Sequence, residues 1–199
     1  MPYAFPPGAA RASFFVISHQ YQCIYVHQRK TAGSSIIHSF GLTLKDPDWE
    51  TYNDGVLSPG YDSMSESVSW YFKFTTVRNP FDRLISSWKY LSATRTRTLE
   101  DVLRNPPLEG HDYRHLTRPQ TAILVNRDGE LIVDFVIRYE ALQEGYDQVC
   151  DLIGKPRMPL PVVNATTRNR DYRTYFNPVT RSLAEDHFKD DLSTFGYEF

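Results

Sequence analysis

The sequence is short of the residues that make a metal or disulfide protein. Its two cysteines, Cys23 and Cys150, stand in no CxxC pair and in no Cys/His cluster with metal-ligand spacing. A zinc site and a disulfide framework are therefore unsupported, and reduced core thiols are the reading. Charge of one sign is lacking too: 22 Lys and Arg face 24 Asp and Glu, for a net charge of -2. There is no global basic field of the kind a non-specific nucleic-acid binder uses, so no nucleic-acid partner is expected and any anion site has to be local. No apolar run approaches the roughly 18 residues that span a bilayer. The opening Met1-Pro2-Tyr3-Ala4-Phe5-Pro6-Pro7-Gly8 has neither the basic start nor the apolar stretch of a secretory signal. The expectation is a soluble, cytoplasmic chain with no membrane segment.

What is present suits one ordinary globular domain, with 199 residues of which 41% are hydrophobic and 14% aromatic. Residues 1–13, rich in Pro, Ala and Gly, read as a loose lead-in, and 14–199 as a single domain that begins at the apolar run Phe14-Phe15-Val16-Ile17. Runs dense in β-branched and aromatic residues follow at Cys23 through Val26, Tyr71 through Val77 and Ile132 through Tyr139, and continuous apolar runs suit buried parallel strands. Helical patterns cover Ser34 to Phe40, Pro80 to Leu91, Leu99 to Arg104, Glu140 to Ile153 and Pro178 to Asp190. This alternation predicts an α/β fold with a central, mainly parallel sheet flanked by helices. A long loop-like stretch at 45–69 interrupts it, and loops of that length are often functional.

Two constellations carry chemistry. In the first, the strand Ile24-Tyr25-Val26-His27 runs through Gln28-Arg29-Lys30-Thr31-Ala32-Gly33-Ser34-Ser35 into a helix. Small residues let backbone amides converge on a ligand, the helix start adds positive partial charge, and Lys30 and the hydroxyls supply further donors for a phosphate or sulfate. It is not a Walker A motif, because Lys30 precedes Gly33. An ordinary strand-to-helix turn with a capping Ser fits the same residues. In the second, Arg78 leaves the end of a buried strand, Pro80 opens a helix, and Ser86 falls about two turns along it. An arginine fork plus a hydroxyl receives a second phosphate well, although Arg78 and Arg83 could equally pair with Asp82. Lys30 and Arg78 would both lie outside the carboxyl ends of the strands, where open α/β sheets bind ligands.

Together these segments resemble the sulfotransferases that use 3'-phosphoadenosine 5'-phosphosulfate (PAPS), most closely the membrane-type carbohydrate branch and its soluble bacterial relatives. Arg29-Lys30-Thr31-Ala32-Gly33-Ser34-Ser35 is similar to that family's 5'-phosphosulfate loop. Val77-Arg78-Asn79-Pro80-Phe81-Asp82-Arg83-Leu84-Ile85-Ser86 is similar to its 3'-phosphate motif, in which the arginine and the serine eight residues later hold the phosphate. Weaker likeness continues through His115-Leu116-Thr117-Arg118-Pro119-Gln120, Val133 through Leu142, Leu160 through Asn164 and Phe195-Gly196-Tyr197. The resemblance implies a three-layer fold like that of the P-loop NTPases, and PAPS as sulfuryl donor leaving as 3',5'-ADP, with no metal. It also implies a hydroxyl acceptor, a sugar or glycan. Lys30 would be the electrophile at the bridging oxygen, with Thr31, Ala32, Gly33, Ser34 and Ser35 cradling the 5'-phosphosulfate and Arg78 and Ser86 anchoring the 3'-phosphate.

An alcohol acceptor also needs a general base. Relatives commonly place a His or Glu between the two motifs, whereas residues 39–77 contain no histidine. Asp54 lies in that interval, in a segment that also reads as a turn. His115 has a suitable ordinary pKa of about 6.5 but could be a structural cap, and His27, beside the cradle, reads as a structural histidine. Glu140 reads as a helix start. Arg168, with Arg170, Arg173 and nearby tyrosines, could clamp the nucleotide or form a solvated basic loop. Competing functions are a small P-loop-like kinase, which would bind ATP with magnesium, and a catalytically silent nucleotide-binding relative, which would bind without turnover.

Overall fold

Alternation within the strands decides which side of the sheet each residue serves. The computed structural model describes residues 14–41, 69–91, 96–126, 128–162 and 171–199. Among these, β1 (Phe14–Ser18), β2 (Cys23–His27), β3 (Phe72–Val77) and β4 (Phe135–Arg138) form one sheet in that order. In β2 all five residues are buried: Cys23 and Tyr25 face one apolar cluster with Phe74 and Ile137, while Ile24 and Val26 face another with Phe15, Ile17 and Val77. A strand covered on both faces reads as a continuous apolar run.

Helix α1 (Gly33–Ser39) covers the first face through Ile36 and Ile37, joined by Tyr146, Val149 and Cys150 of helix α4 (Leu142–Ile153). Close approach of α4 to β4 depends on Gly145, where an added Cβ would come within 2.8 Å of Ile137. The opposite face is closed by Leu124 of the short turn Thr121–Leu124 and Phe195 of helix α6 (Lys189–Phe195). Helix α2 (Pro80–Tyr90) packs on α3 (Leu99–Arg104) and α5 (Pro178–His187) in a third cluster around Phe81, Leu84, Val102 and Phe188. Helix, sheet and helix thus form the α/β architecture expected.

The sheet departs from purely parallel at one edge. β1 pairs antiparallel with β2, in register from Phe14 opposite His27 to Ser18 opposite Cys23, whereas β2–β3 and β3–β4 are parallel. β4 begins three residues later than the apolar run predicts. Asp134 bonds Lys73 with both its backbone N–H and its carboxylate, and Ile132 N–H bonds back to the Leu124 carbonyl, so Ile132 and Val133 belong to a turn. The helix expected over Pro178 to Asp190 is two, broken at Phe188 (φ -106°, ψ 18°). The three parallel strands all end on one edge, at His27, Val77 and Arg138, and that edge positions the candidate site.

Candidate active site

The segment after β2 turns sharply because Lys30 (φ 66°) and Ala32 (φ 67°) both take the left-handed conformation. This costs roughly 1–2 kcal/mol per non-glycine residue, so other contacts have to hold it. Thr31 Oγ1 donates to the Gln28 carbonyl at 3.0 Å and meets Thr76 Oγ1 at 2.7 Å, which in turn meets Tyr25 Oη at 2.6 Å. A chain of buried hydroxyls therefore ties the loop to β2 and β3, and the Thr31 side chain serves the fold. Gly33 is required by proximity: an added Cβ would lie 2.0 Å from His27 Cδ2. His27 forms the floor beneath the loop. Burial, then Arg29, His115 and Arg118, depress its pKa to about 3, so it is neutral at pH 7. The Ala32 carbonyl accepts from Ser35 and Ile36 N–H.

The β3 end carries Arg78, and its guanidinium joins the two constellations. Nη1 donates to the Lys30 carbonyl at 3.0 Å, Nε and Nη2 reach Asp82 Oδ2 at 2.7 and 2.6 Å, and the group lies 4.0 Å over the Tyr139 ring just past β4. The Arg78–Asp82 pair thus exists alongside the bond to the loop, while Arg83 turns elsewhere. Asn79 caps α2 by accepting from Phe81 N–H at 3.0 Å, with Pro80 in the first turn. Asn79 N–H donates to Glu140 Oε1 at 2.8 Å, and Glu140 Oε2 accepts from Tyr197 Oη at 2.8 Å, which makes Glu140 a structural acceptor between β3 and β4. Ser86 is buried on α2.

Gln120 was not singled out for a role by its sequence, yet it is the hub of this edge. Its side-chain amide exchanges two bonds with the Arg78 backbone, Oε1 accepting from N–H at 3.0 Å and Nε2 donating to the carbonyl at 2.9 Å. Its own carbonyl accepts from Gln28 Nε2 at 3.1 Å. The fully buried Asp191 of α6 fixes it, accepting from the backbone N–H of Gln120 and Thr121 at 2.8 Å each and from Thr121 Oγ1 at 2.9 Å. The only sequence signal was the segment's weak family likeness. Nothing local links Gln120 to a residue 42 positions earlier.

His115 lies in a wide turn of π type, Tyr113–Thr117, closed by Arg118 N–H bonding the Tyr113 carbonyl at 2.8 Å. It stacks on Tyr90 with centroids 5.9 Å apart, and Lys30 Nζ lies 4.0 Å from the same ring. Tyr90, at the end of α2, thus brings the candidate base and the candidate electrophile to one aromatic ring. Burial first, then Arg29, His111, Lys30 and Arg114, lower the His115 pKa to about 3. Arg29 is lowered to about 10 by burial and Arg114, and Arg118 to about 10 by burial, Arg83, Arg29 and Arg114. The loop and the turn together make a cationic ridge in a chain whose net charge is negative. Asp54 and Arg168 lie outside the described residues.

A family model described as the Sulfotransferase family matches residues 13–198. The chain belongs to the sulfotransferase family. No curated protein and no solved structure matches it. As a sulfotransferase it moves a sulfuryl group, and a reaction of that kind asks mainly for positioning and for stabilisation of negative charge. Lys30 and Arg78 stand just past the carboxyl ends of β2 and β3. Among the described residues of this sulfotransferase no group of His, Cys, Asp and Glu is arranged to hold a metal ion, and no helix is long and apolar enough to cross a membrane.

Proposed function

We propose that the chain transfers the sulfuryl group of PAPS to a hydroxyl of a carbohydrate acceptor. The observation that carries this reading is the 3.0 Å bond from Arg78 Nη1 to the Lys30 carbonyl, which joins the Lys30 loop to the Arg78 segment at adjacent parallel strand ends. A donor with phosphate at both ends of one nucleoside needs two such receptors side by side. The residues suit it chemically, because a ridge of cations that oppose one another's protonation is relieved by a polyanion.

PAPS supplies the sulfuryl group and leaves as 3',5'-ADP. Lys30, with the backbone of Thr31, Ala32, Gly33, Ser34 and Ser35, would hold the 5'-phosphosulfate, and the Lys30 ammonium would stabilise charge on the departing oxygen. Arg78 and Ser86 would hold the 3'-phosphate. The left-handed turn at Lys30 and Ala32, fixed by Thr31 and Arg78, keeps this loop in one shape before anything binds, so little ordering remains to be done. His115 would take the acceptor proton, with Asp54 the other candidate base. His115 is neutral at pH 7, the state a base requires. Its low proton affinity comes from burial and from cations that a bound polyanion offsets, so donor binding strengthens the base.

Calorimetric titration with 3',5'-ADP, with and without magnesium, tests the reading. Tight binding that ignores magnesium and weakens in Lys30→Ala and Arg78→Ala is the expected result. Absence of binding by the folded parent, or a requirement for ATP and magnesium, overturns it.

A further inference from the structure

Tyr90 is the last residue of α2 and is 54% exposed, so core packing does not account for it. Its ring has two neighbours of chemical consequence instead. Lys30 Nζ stands 4.0 Å from the centroid, and the His115 imidazole stacks on the ring at 5.9 Å with the planes 17° apart. Two further contacts fix this stack. Ser87 Oγ, one helical turn before Tyr90 and on the same side of α2, donates to the His115 carbonyl at 2.5 Å, and the His111 ring packs on His115 with centroids 4.3 Å apart. The helix closes at once, with Leu91 N–H on the Ser87 carbonyl, so the Tyr90 ring springs from backbone of fixed geometry.

Lys30 and His115 are the groups that the proposed reaction places at its two ends. In-line transfer sets the base, the acceptor oxygen, the sulfur, the departing oxygen and the ammonium in a row, two hydrogen bonds of about 3 Å with two S–O bonds between them, on the order of 10 Å in all. Nζ and the imidazole centre stand no farther apart than their two distances from the Tyr90 centroid laid end to end, which is the same scale. A lysine stem is flexible and its ammonium strongly hydrated, so something has to hold it. An aromatic face attracts an ammonium without setting a negative charge beside the departing anion, as a carboxylate would. We propose that Tyr90 is a positioning residue for sulfuryl transfer, its ring holding the Lys30 ammonium and the His115 imidazole at the separation that the row requires. The acceptor oxygen bonds sulfur and gives its proton to His115, while the S–O bond to the 5'-phosphate breaks and its electron pair stays on the oxygen that faces Lys30. Tyr90 acts through the two side chains. The inference rests on the function proposed above and adds to it the residue that spaces its electrophile from its base.

Release of sulfate from PAPS, with water as the acceptor, is measured in the parent, Tyr90→Leu, Tyr90→Gln and Tyr90→Phe, beside calorimetric titration with 3',5'-ADP. Tyr90→Leu is expected to lower kcat about 10–100-fold, the effect of a misplacement of about 1 Å, while KM for PAPS and the 3',5'-ADP affinity stay within about threefold of the parent. Tyr90→Gln, a side chain suited to an exposed helix end, repeats the loss, and circular dichroism establishes that each variant is folded. Tyr90→Phe, which keeps the aromatic face, recovers kcat to within about threefold of the parent. Turnover by Tyr90→Leu and Tyr90→Gln equal to the parent's, or faster, overturns the proposal. So does Tyr90→Phe as slow as Tyr90→Leu, which would assign the effect to the hydroxyl, and so does a loss of 3',5'-ADP affinity equal to the loss of kcat, which would assign Tyr90 to donor binding. A parent that binds 3',5'-ADP and releases no sulfate has no transfer for Tyr90 to position, and overturns the proposal alone. A parent that does not bind 3',5'-ADP overturns the donor reading and this inference with it.

Discussion

Arg78 and Arg118 are both nearly buried, both lie on the edge where the parallel strands end, and differ in what surrounds them. Arg78 has Asp82, the Lys30 carbonyl and the Tyr139 face, and its backbone is matched bond for bond by Gln120. Arg118 has other cations and a nitrogen with no acceptor. The first arrangement is paired in the unliganded protein and joins the Lys30 loop to α2. The second is incomplete, with Arg118 Nη2 buried and without an acceptor. Desolvated charge stabilises a fold only when it is paired and hydrogen-bonded, so Arg78 is a strut in a way that Arg118, of equal burial, is not.

Substitutions separate the two. The largest effect is expected on the strut side from Asp191→Ala, which strips the acceptor from Gln120, Thr121 and the neighbourhood of Arg83. A loss of about 3–5 kcal/mol in urea unfolding is expected, as for a broken buried charge network. Next, Arg78→Ala lowers 3',5'-ADP affinity about 10–100-fold, the value of one or two charge-assisted hydrogen bonds, and lowers stability with it. Acid comes third. His27 and His115 titrate at about 3 when folded against an ordinary 6.5, so the unfolded chain binds more protons between these values. Stability is then full above pH 6.5 and falls as pH drops towards 3, by about 2 kcal/mol for each histidine at pH 5. Denaturation at pH 7.5 and pH 5 measures this, His115→Gln flattens the slope, and 3',5'-ADP protects. The smallest effect is on the Arg118 side. Arg118→Met stays within about 1 kcal/mol of the parent or exceeds it, because an unpaired buried charge is replaced by an apolar chain of similar size; a loss as large as that of Asp191→Ala would erase the contrast.

How much of this the sequence discloses follows from the range of the interactions. β2 and β3 are legible because burial on both faces makes continuous apolar runs, and α2 because Asn79 and Pro80 announce its start. The Arg78–Asp82 pair is legible because residues four apart share a helix face. β1 reads as apolar, but its antiparallel pairing is a property of the turn between Ser18 and Cys23, where Gln22 has a positive φ without being glycine. Ile132 and Val133 mislead because a side-chain carboxylate, that of Asp134, stands in for the ladder. In the site, the Lys30 loop and Arg78 can be found from neighbours in sequence, whereas Gln120 and Asp191 act over 42 and 71 positions. The sharing of Tyr90 by Lys30 and His115 is likewise long-range, and no spacing rule reaches it.

The contact between Gly33 and His27 ties two positions together in descent as well as in space. A methyl gained at 33 and the imidazole at 27 cannot occupy the same volume, so a lineage could replace the glycine only after, or together with, the loss of the ring. A path that loses the ring first crosses an ancestor with a hole beneath the loop. The pair therefore changes as one character, and a sequence with a larger residue at 33 is expected to have a smaller one at 27.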